Sequence, residues 1–287
     1  MTRDYSNYDE NNKIYTGSER KIGITIDSED YILKFQKNSE SGYINNHISE
    51  HLGSGIFNLL GEEAQITALG TYKGENVVVC KDFNKNNDSF IPFNGVGESS
   101  LERDKELYQY SYEDIIAMLK DNAKIADVNE TIDRFWNMFI IDALLGNFDR
   151  HGANWGFIKK ENKYRLAPVF DNGSSLFPRR NTEELMEEAM NSDDVIDGMI
   201  YKYPTSQIKL NNKKSSYYEV INSLAFDECN KALSRIYKRY DPTKIKNYIL
   251  SQDSLSETQK RFYIFIVESR FQKIIKSSYD KLEVKNE

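Results

Sequence analysis

The sequence predicts an α+β chain in two lobes, a small antiparallel-sheet lobe followed by a mainly helical one. Three observations carry that expectation. The first third alternates short apolar runs with polar turns, as at Gly23–Ile26, Tyr31–Phe35 and Val77–Lys81. The stretch from Asn84 to Ser100 is rich in Asn, Gly and Ser and reads as the connection between lobes. Beyond it, apolar residues recur at helical spacing, most clearly at Ile132, Phe135, Trp136, Phe139, Ile140, Ala143 and Leu144.

Length and composition narrow the function classes. A chain of 287 residues can hold one two-lobed domain or two small ones. With 39% hydrophobic and 29% charged residues it reads as globular and soluble, and no apolar run reaches membrane-spanning length. The net charge of −7 argues against a nucleic-acid binder driven by bulk charge. Cys80 and Cys229 are too few for a disulfide framework, which fits a reducing cytoplasm. Met1 to Asn12 is polar, lacks an apolar signal core and is expected to be a flexible tail. The expected division is a tail at 1–12, a sheet lobe at 13–95 and a helical lobe at 96–287.

In chain order, strands are expected at Ile14–Thr16, Gly23–Ile26 and Tyr31–Phe35. Thr16-Gly17-Ser18-Glu19-Arg20-Lys21 joins the first two; it is glycine-poor and matches no standard phosphate-binding loop. Lys34 is the one cation inside an alternating strand. A helix from Ile44 to about Leu60 carries His47-Ile48-Ser49-Glu50-His51. Strands at Gln65–Thr71 and Val77–Lys81 then form a hairpin that leads out through Asp82 and Phe83. In the second lobe, Ser111 caps a helix with early acids. The central helix starts near Asn129 and stops at Gly146. Further helices are expected at Thr182–Met190, Tyr217–Tyr240, Thr243–Leu250 and from Ser256 to about Ser277.

The chemistry is concentrated after the central helix. Asn147-Phe148-Asp149-Arg150-His151-Gly152-Ala153-Asn154 is followed by a short hairpin over Trp155 to Leu166. The chain then returns through Ala167-Pro168-Val169-Phe170-Asp171-Asn172-Gly173-Ser174. Helix, polar loop, hairpin and returning Asp is the layout of a kinase catalytic loop and metal site. A hydroxyl nucleophile needs a carboxylate to orient it and accept its proton, the role expected of Asp149. Mg²⁺ on ATP prefers hard oxygen ligands, which Asn154 and Asp171 supply. Lys34 has the setting of an ammonium that reaches the α- and β-phosphates, with Glu50 as the helix acid that pairs with it. Lys81 and Phe83 lie where a hinge backbone would meet adenine.

The string Gly146-Asn147-x-Asp149-Arg150-His151-x-x-Asn154, followed by Ala167-Pro168-x-x-Asp171-x-x-Ser174, resembles the HipA-type Ser/Thr kinases. These are bacterial kinases best known as toxins of toxin–antitoxin pairs. The phosphoinositide kinases share a similar Asp-Arg-His-x-x-Asn loop but follow it with Asp-Phe-Gly, from which Asp171-Asn172-Gly173 departs. The resemblance implies a two-lobed protein-kinase-like fold, ATP and Mg²⁺ as cofactors and a protein Ser/Thr substrate. In some members it also implies a separately encoded small antitoxin partner. It places Gly17 and Ser18 in the loop over the phosphates, with Ser18 a candidate autophosphorylation switch, and has His151 brace the catalytic loop. Arg179 and Arg180 fall in the counterpart of the activation segment, where arginines can meet a phosphorylated residue or an acidic partner. Full-length members carry an extra N-terminal subdomain; this chain reaches its nucleotide lobe almost at once and so resembles the short forms.

Two other readings are weighed against this one. His47-x-x-Glu50-His51 is a literal H-x-x-E-H, the pattern of the inverted zinc peptidases. It lacks a second metal motif to supply a third ligand. A nucleotide-binding module without phosphotransfer would share most of the same residues. No direct nucleic-acid or membrane partner is expected.

Overall fold

Alternating apolar and polar residues in the first lobe build a five-stranded sheet in the order β1-β6-β7-β3-β2. In a computed structural model, residues 3–15, 19–40, 42–84, 88–93, 95, 112–121 and 124–286 are described. The Gly17–Ser18 loop, the Ser111 cap and most of the Asn84–Ser100 connection lie outside those residues. The strands are β1 (Arg3–Asp4), β2 (Lys21–Ile26), β3 (Glu29–Phe35), a small hairpin of β4 (Asn38–Ser39) and β5 (Gly42–Tyr43), then β6 (Thr67–Tyr72) and β7 (Glu75–Lys81). The period of two sends Leu33, Phe35, Val77 and Val79 to the outer face, where they pack with Tyr5, Ile24 and Tyr72. Lys34, opposite Val78 in the ladder, is turned to the inner face.

The N-terminal residues correct an expectation. Residues 3–12 are built into the sheet rather than left as a tail: β1 pairs in parallel with β6, and Tyr5 is 4% exposed. Asn11 Nδ2 crosses β2 and β3, donating to Ile24 O at 3.2 Å and Asp30 Oδ1 at 3.1 Å. The strand expected at Ile14–Thr16 does not form at residues 14–15, and Ile14 is fully out in solvent. A polar composition reads as a tail, yet one buried aromatic and a few side-chain hydrogen bonds are enough to fix such a segment.

Helix α1 (Asn46–Leu59) lies between the lobes, and its apolar face settles which one it joins. Ile48, Leu52, Ile56 and Phe57 belong to the core of the helical lobe, separate from the cluster over the sheet. Gly55 is required by the closeness of that packing, because a Cβ there would sit 2.0 Å from the Tyr248 hydroxyl.

The second lobe opens with β8 (Ser89–Pro92), which pairs with β9 (Gly156–Lys160) and through it with β10 (Lys163–Leu166). The helices are α2 (Tyr112–Asp121), α3 (Val128–Leu145), α4 (Glu183–Asn191), α5 (Asp193–Asp197), α6 (Tyr217–Ser223), α7 (Asp227–Arg239), α8 (Pro242–Leu250), α9 (Glu257–Arg270) and α10 (Ser277–Asn286). Asp127 caps α3 by accepting from Glu130 N, and Gly146 ends it at φ 64°. The long helix expected over Tyr217–Tyr240 is two helices, parted where Leu224 turns left-handed at φ 54°. An unforeseen hairpin, β11 (Thr205–Leu210) with β12 (Lys213–Ser216), precedes them. Its turn is Asn211-Asn212, both at positive φ, a residue pair suited to a tight hairpin turn. The helical run expected to end near Ser277 passes from α9 through a π-helical stretch at Phe271–Lys276 into α10. Among the described residues, no helix is long and apolar enough to cross a membrane.

Tyr5→Ala tests the ordered N-terminus. Removing this buried ring should lower the unfolding free energy by about 2–4 kcal/mol in a urea titration, as for other large-to-small core changes. A change within error would return residues 3–12 to the status of a tail.

Candidate active site

Three elements deliver one buried charge cluster. Lys34 from β3 is buried, with Nζ 3.2 Å from Glu50 Oε1 of α1 and 3.1 Å from Asp171 Oδ1. Glu50 Oε1 also accepts from Asp171 N at 3.0 Å, so one carboxylate orients both the ammonium and the returning acid. Asp171 sits at φ 59°, a conformation that Asp tolerates better than most residues and one often found at functional sites. Burial opposes the charge on Lys34, but Asp171 and Glu50 more than offset it and hold its pKa well above the usual lysine value. Burial pushes the Glu50 carboxyl up against the pull of Lys34. For Asp171 the attraction of Lys34 and Arg150 outweighs burial, and its pKa is lowered. Lys34 is thus matched by two carboxylates at hydrogen-bond distance, with Arg150 and Lys21 as further cations acting on Asp171.

The loop after α3 is organised by Arg150. Its Nε is 2.9 Å from Asp142 Oδ2, and its Nη2 donates to Asp142 Oδ1 and Asn172 Oδ1. Its Nη1 donates to the carbonyls of Asn154 and Phe170. A planar guanidinium is the side chain that can tie a helix, a loop and a returning strand in this way. Asn147 adds a second tie, donating to Asp142 Oδ1 at 2.9 Å while its Oδ1 accepts from Asp149 N at 3.0 Å. Asn154 Nδ2 donates to Asp149 O at 2.8 Å, which brings the candidate base and the amide together. His151 Nδ1 accepts from Ala153 N at 3.2 Å, and its Nε2 lies 3.7 Å from Asp149 Oδ1. Partial burial raises the pKa of Asp149, aided by Asp171 and opposed by His151.

The segment after Asp171 is short and tied down. Leu176 N donates to Leu145 O at 2.8 Å, Asn45 N to Pro178 O at 2.9 Å and Asn181 Nδ2 to Tyr43 O at 2.8 Å. Asn172 Nδ2 meets Ser54 Oγ of α1 at 3.0 Å. Arg180 faces Glu188 and Leu185 O, while Arg179 is exposed.

With this geometry in place, the sequence matches the model of the HipA-like C-terminal domain over residues 14–245. The chain belongs to the HipA-like C-terminal domain family. It is 35% identical over 262 residues to the serine/threonine-protein kinase CtkA of Helicobacter pylori (strain J99 / ATCC 700824), covering 89% of this chain and 80% of that protein. A crystal structure of the H. pylori proinflammatory kinase CtkA matches with a TM-score of 0.88 at 32% identity, over 99% of this chain and 100% of that one. HipA of Shewanella oneidensis MR-1, solved with HipB and operator DNA, shares the fold at a TM-score of 0.63 and 13% identity, covering 93% of this chain and 67% of its own. This HipA-like chain has the two-lobed α+β kinase fold and is a kinase.

The fold of the HipA-like chain brings Lys34, Glu50, Asp149, His151, Asn154 and Asp171 into one region, linked through Arg150. It treats Lys81 differently. The Lys81 ammonium pairs with Glu29 at 2.6 Å, its N–H donates to Ile66 O at 2.8 Å and its carbonyl accepts from Gln65 Nε2 at 2.9 Å. Lys81 is therefore spent on the sheet. Phe83 joins Phe90 and Phe170 in an aromatic group with ring centroids 5.1–6.0 Å apart, next to Asp171 in sequence. Gly17 and Ser18 lie outside the described residues.

The zinc constellation does not assemble. Glu50 is held by Lys34, and His51 places Nδ1 3.0 Å from Thr67 Oγ1 and Nε2 3.0 Å from Gln252 Oε1. Burial lowers the His47 pKa to about 4, which keeps the ring neutral. Among the described residues, no group of three or more His, Cys, Asp or Glu could hold a metal ion.

Sequence reasoning assigned no role to Asp142, Asn172, Lys21 or Phe170. For Asp142 the available signal was a lone acid inside the apolar face of α3. Lys21 stands directly across the ladder from Lys34, and burial together with Lys34 lowers its pKa. It adds a second ammonium at the edge of the cleft. Its signal was a cation closing the Thr16–Lys21 connection.

Arg150→Met would leave Asp142 buried without its main partner. The unfolding free energy should fall by about 3–5 kcal/mol. The double variant with Asp142→Leu should lose less than the sum of the single changes. Additive losses in the denaturation cycle would show that Arg150 is not the hub.

Proposed function

We propose that this kinase transfers the γ-phosphoryl group of ATP to a Ser or Thr hydroxyl of a protein, with Mg²⁺ accompanying the nucleotide. The observation that carries the reading is the Lys34–Glu50–Asp171 cluster, set in the same cleft as Asp149 and Asn154. Each group then has a defined task. Lys34 is held charged and takes the phosphates, with Glu50 fixing its direction. Lys21 supports it at the edge of the cleft. Phe83, Phe90 and Phe170 offer apolar ring faces for adenine. Asp149 orients the acceptor hydroxyl and takes its proton as the oxygen attacks phosphorus, with His151 bracing the loop.

The donors present suit Mg²⁺. Asn154 spends its NH₂ on Asp149 O, so the group it offers elsewhere is its carbonyl oxygen. Asp171 contributes a carboxylate whose lowered pKa keeps it ionised. A set of one carboxylate and one amide oxygen is too small for zinc but fits Mg²⁺ that arrives with phosphate oxygens. When bound, the ion neutralises charge on the phosphates. Rate acceleration through the protein comes from positioning and electrostatics.

The Ser/Thr preference follows the name of the H. pylori relative at 35% identity. Family membership extends the proposal to a toxin–antitoxin setting with a small protein partner, as the S. oneidensis HipA is solved with HipB. We place the reaction in the cytoplasm, where both buried cysteines would remain thiols.

Incubation with γ-labelled ATP tests the reading through two variants. Asp149→Asn should lower label transfer by about 10²–10⁴-fold, the usual contribution of a positioned base. In the wild type, transfer should rise with pH across a carboxyl pKa above the usual aspartate value, because only ionised Asp149 accepts the proton. Near-normal turnover of the variant would remove Asp149 as the base. Asp171→Asn should abolish the Mg²⁺-dependent part of the melting shift produced by ATP; an unchanged shift would take Asp171 out of the metal site.

A further inference from the structure

The rim beside Asp149 carries groups that phosphoryl transfer itself does not need. Phe148 of the catalytic loop, Phe177 after Asp171 and Tyr203 after the π-helical stretch Gly198–Lys202 converge there. The Tyr203 ring centroid is 5.9 Å from that of Phe148 and 6.2 Å from that of Phe177. Tyr203 is 47% exposed, an unusual setting for a large ring in a chain whose other aromatics mostly pack inward. Two cations flank it. Arg179 is exposed two residues beyond Phe177, and Lys202 is exposed next to Tyr203. Neither forms an ion pair among the described residues, whereas the adjacent Arg180 is matched by Glu188. Burial raises the pKa of the Tyr203 hydroxyl, opposed by Arg179 and aided by the Asp149 carboxylate, in keeping with the ring contacts that join Tyr203 to the loop of Asp149 and to the segment of Arg179. In a chain of net charge −7, unmatched positive charge beside a base is a local reversal of sign.

We infer that this rim is the subsite that reads the protein substrate, selecting an acceptor Ser or Thr flanked by an aromatic or large aliphatic residue and by an acidic one. The inference rests on the protein-kinase reading above and names its substrate class. The apolar flank covers the Tyr203 and Phe148 rings as water leaves them. The acidic flank meets the Arg179 guanidinium, whose planar fork matches a carboxylate, with Lys202 adding charge. Both contacts lie outside the reacting atoms, so they act on substrate capture more than on the chemical step.

A positional library of Ser- and Thr-centred peptides, phosphorylated by the full chain with ATP, tests this. The wild type should enrich Asp or Glu together with aromatic or large aliphatic residues beside the acceptor. Arg179→Glu should raise KM for the best acidic peptide about tenfold with kcat little changed, and should shift the enrichment toward Lys and Arg. Lys202→Glu, at a second exposed position, should move preference in the same direction by a smaller factor. Tyr203→Ser should erase the apolar preference while leaving the acidic one, with melting temperature as the check on folding. A wild type that phosphorylates peptides without preference at the flanking positions, or variants that keep its preference, would overturn the rim and leave the kinase reading standing. Failure of the wild type to label any peptide or protein would overturn both.

Discussion

A buried lysine ammonium held between two carboxylates is the interaction on which the rest of this molecule depends. Lys34, Glu50 and Asp171 come from a strand, a helix and a returning loop, and no two of them are near neighbours in the chain. Bringing such groups out of water is unfavourable unless each is matched in direction and in hydrogen bonds. Glu50 meets that condition by accepting from both the ammonium and the Asp171 amide. The cluster therefore holds only if strand, helix and loop keep their mutual placement, and that placement is what the two cores provide.

The placement is built into the packing. Helix α1, which carries Glu50, has its apolar face in the core of the helical lobe, and the contact of Gly55 with Tyr248 leaves it little room. His51 reaches Gln252, and the segment at Pro178–Asn181 is hydrogen-bonded to residues 43–45 just before the helix. In kinases governed by activation-loop phosphorylation, the equivalent helix and segment are the parts that move. Here both are joined to the lobe that carries Asp149. Arg150 extends the same scheme, since Asp142, Asn154, Phe170 and Asn172 all depend on one guanidinium.

Much of the candidate site was legible because phosphoryl-transfer chemistry calls for particular residues in a particular order, and those residues do come together. The loop from Asn147 to Asn154, the returning Asp171 and a cation inside an alternating strand each carry a local signature. What sequence could not show was the role of groups whose partners are distant. Lys81 sits at the end of a hairpin strand just as a hinge residue would, yet strand alternation and Glu29 direct its side chain to the other face. His47-x-x-Glu50-His51 has the letters of a metal site, but its acid is already committed to Lys34. The polar N-terminal residues read as a tail because composition does not reveal that Tyr5 joins the apolar cluster over the sheet. The β11–β12 hairpin was readable after the fact in Asn211-Asn212, whose side chains favour the left-handed turn, though its strands are too polar to stand out.

Sequence alone determined the two-lobed α+β class, the family, and the candidate residues for catalysis and metal binding. These are local properties, set by periodicity, by turn chemistry and by residue types that phosphoryl transfer requires within a few positions of each other. Tertiary structure decided which charges meet, that His47 is buried and neutral, and how Phe148, Phe177 and Tyr203 come together beside the loop of Asp149. Those outcomes depend on contacts between residues far apart in the chain, and the energy of a charge depends on its surroundings more than on its own identity.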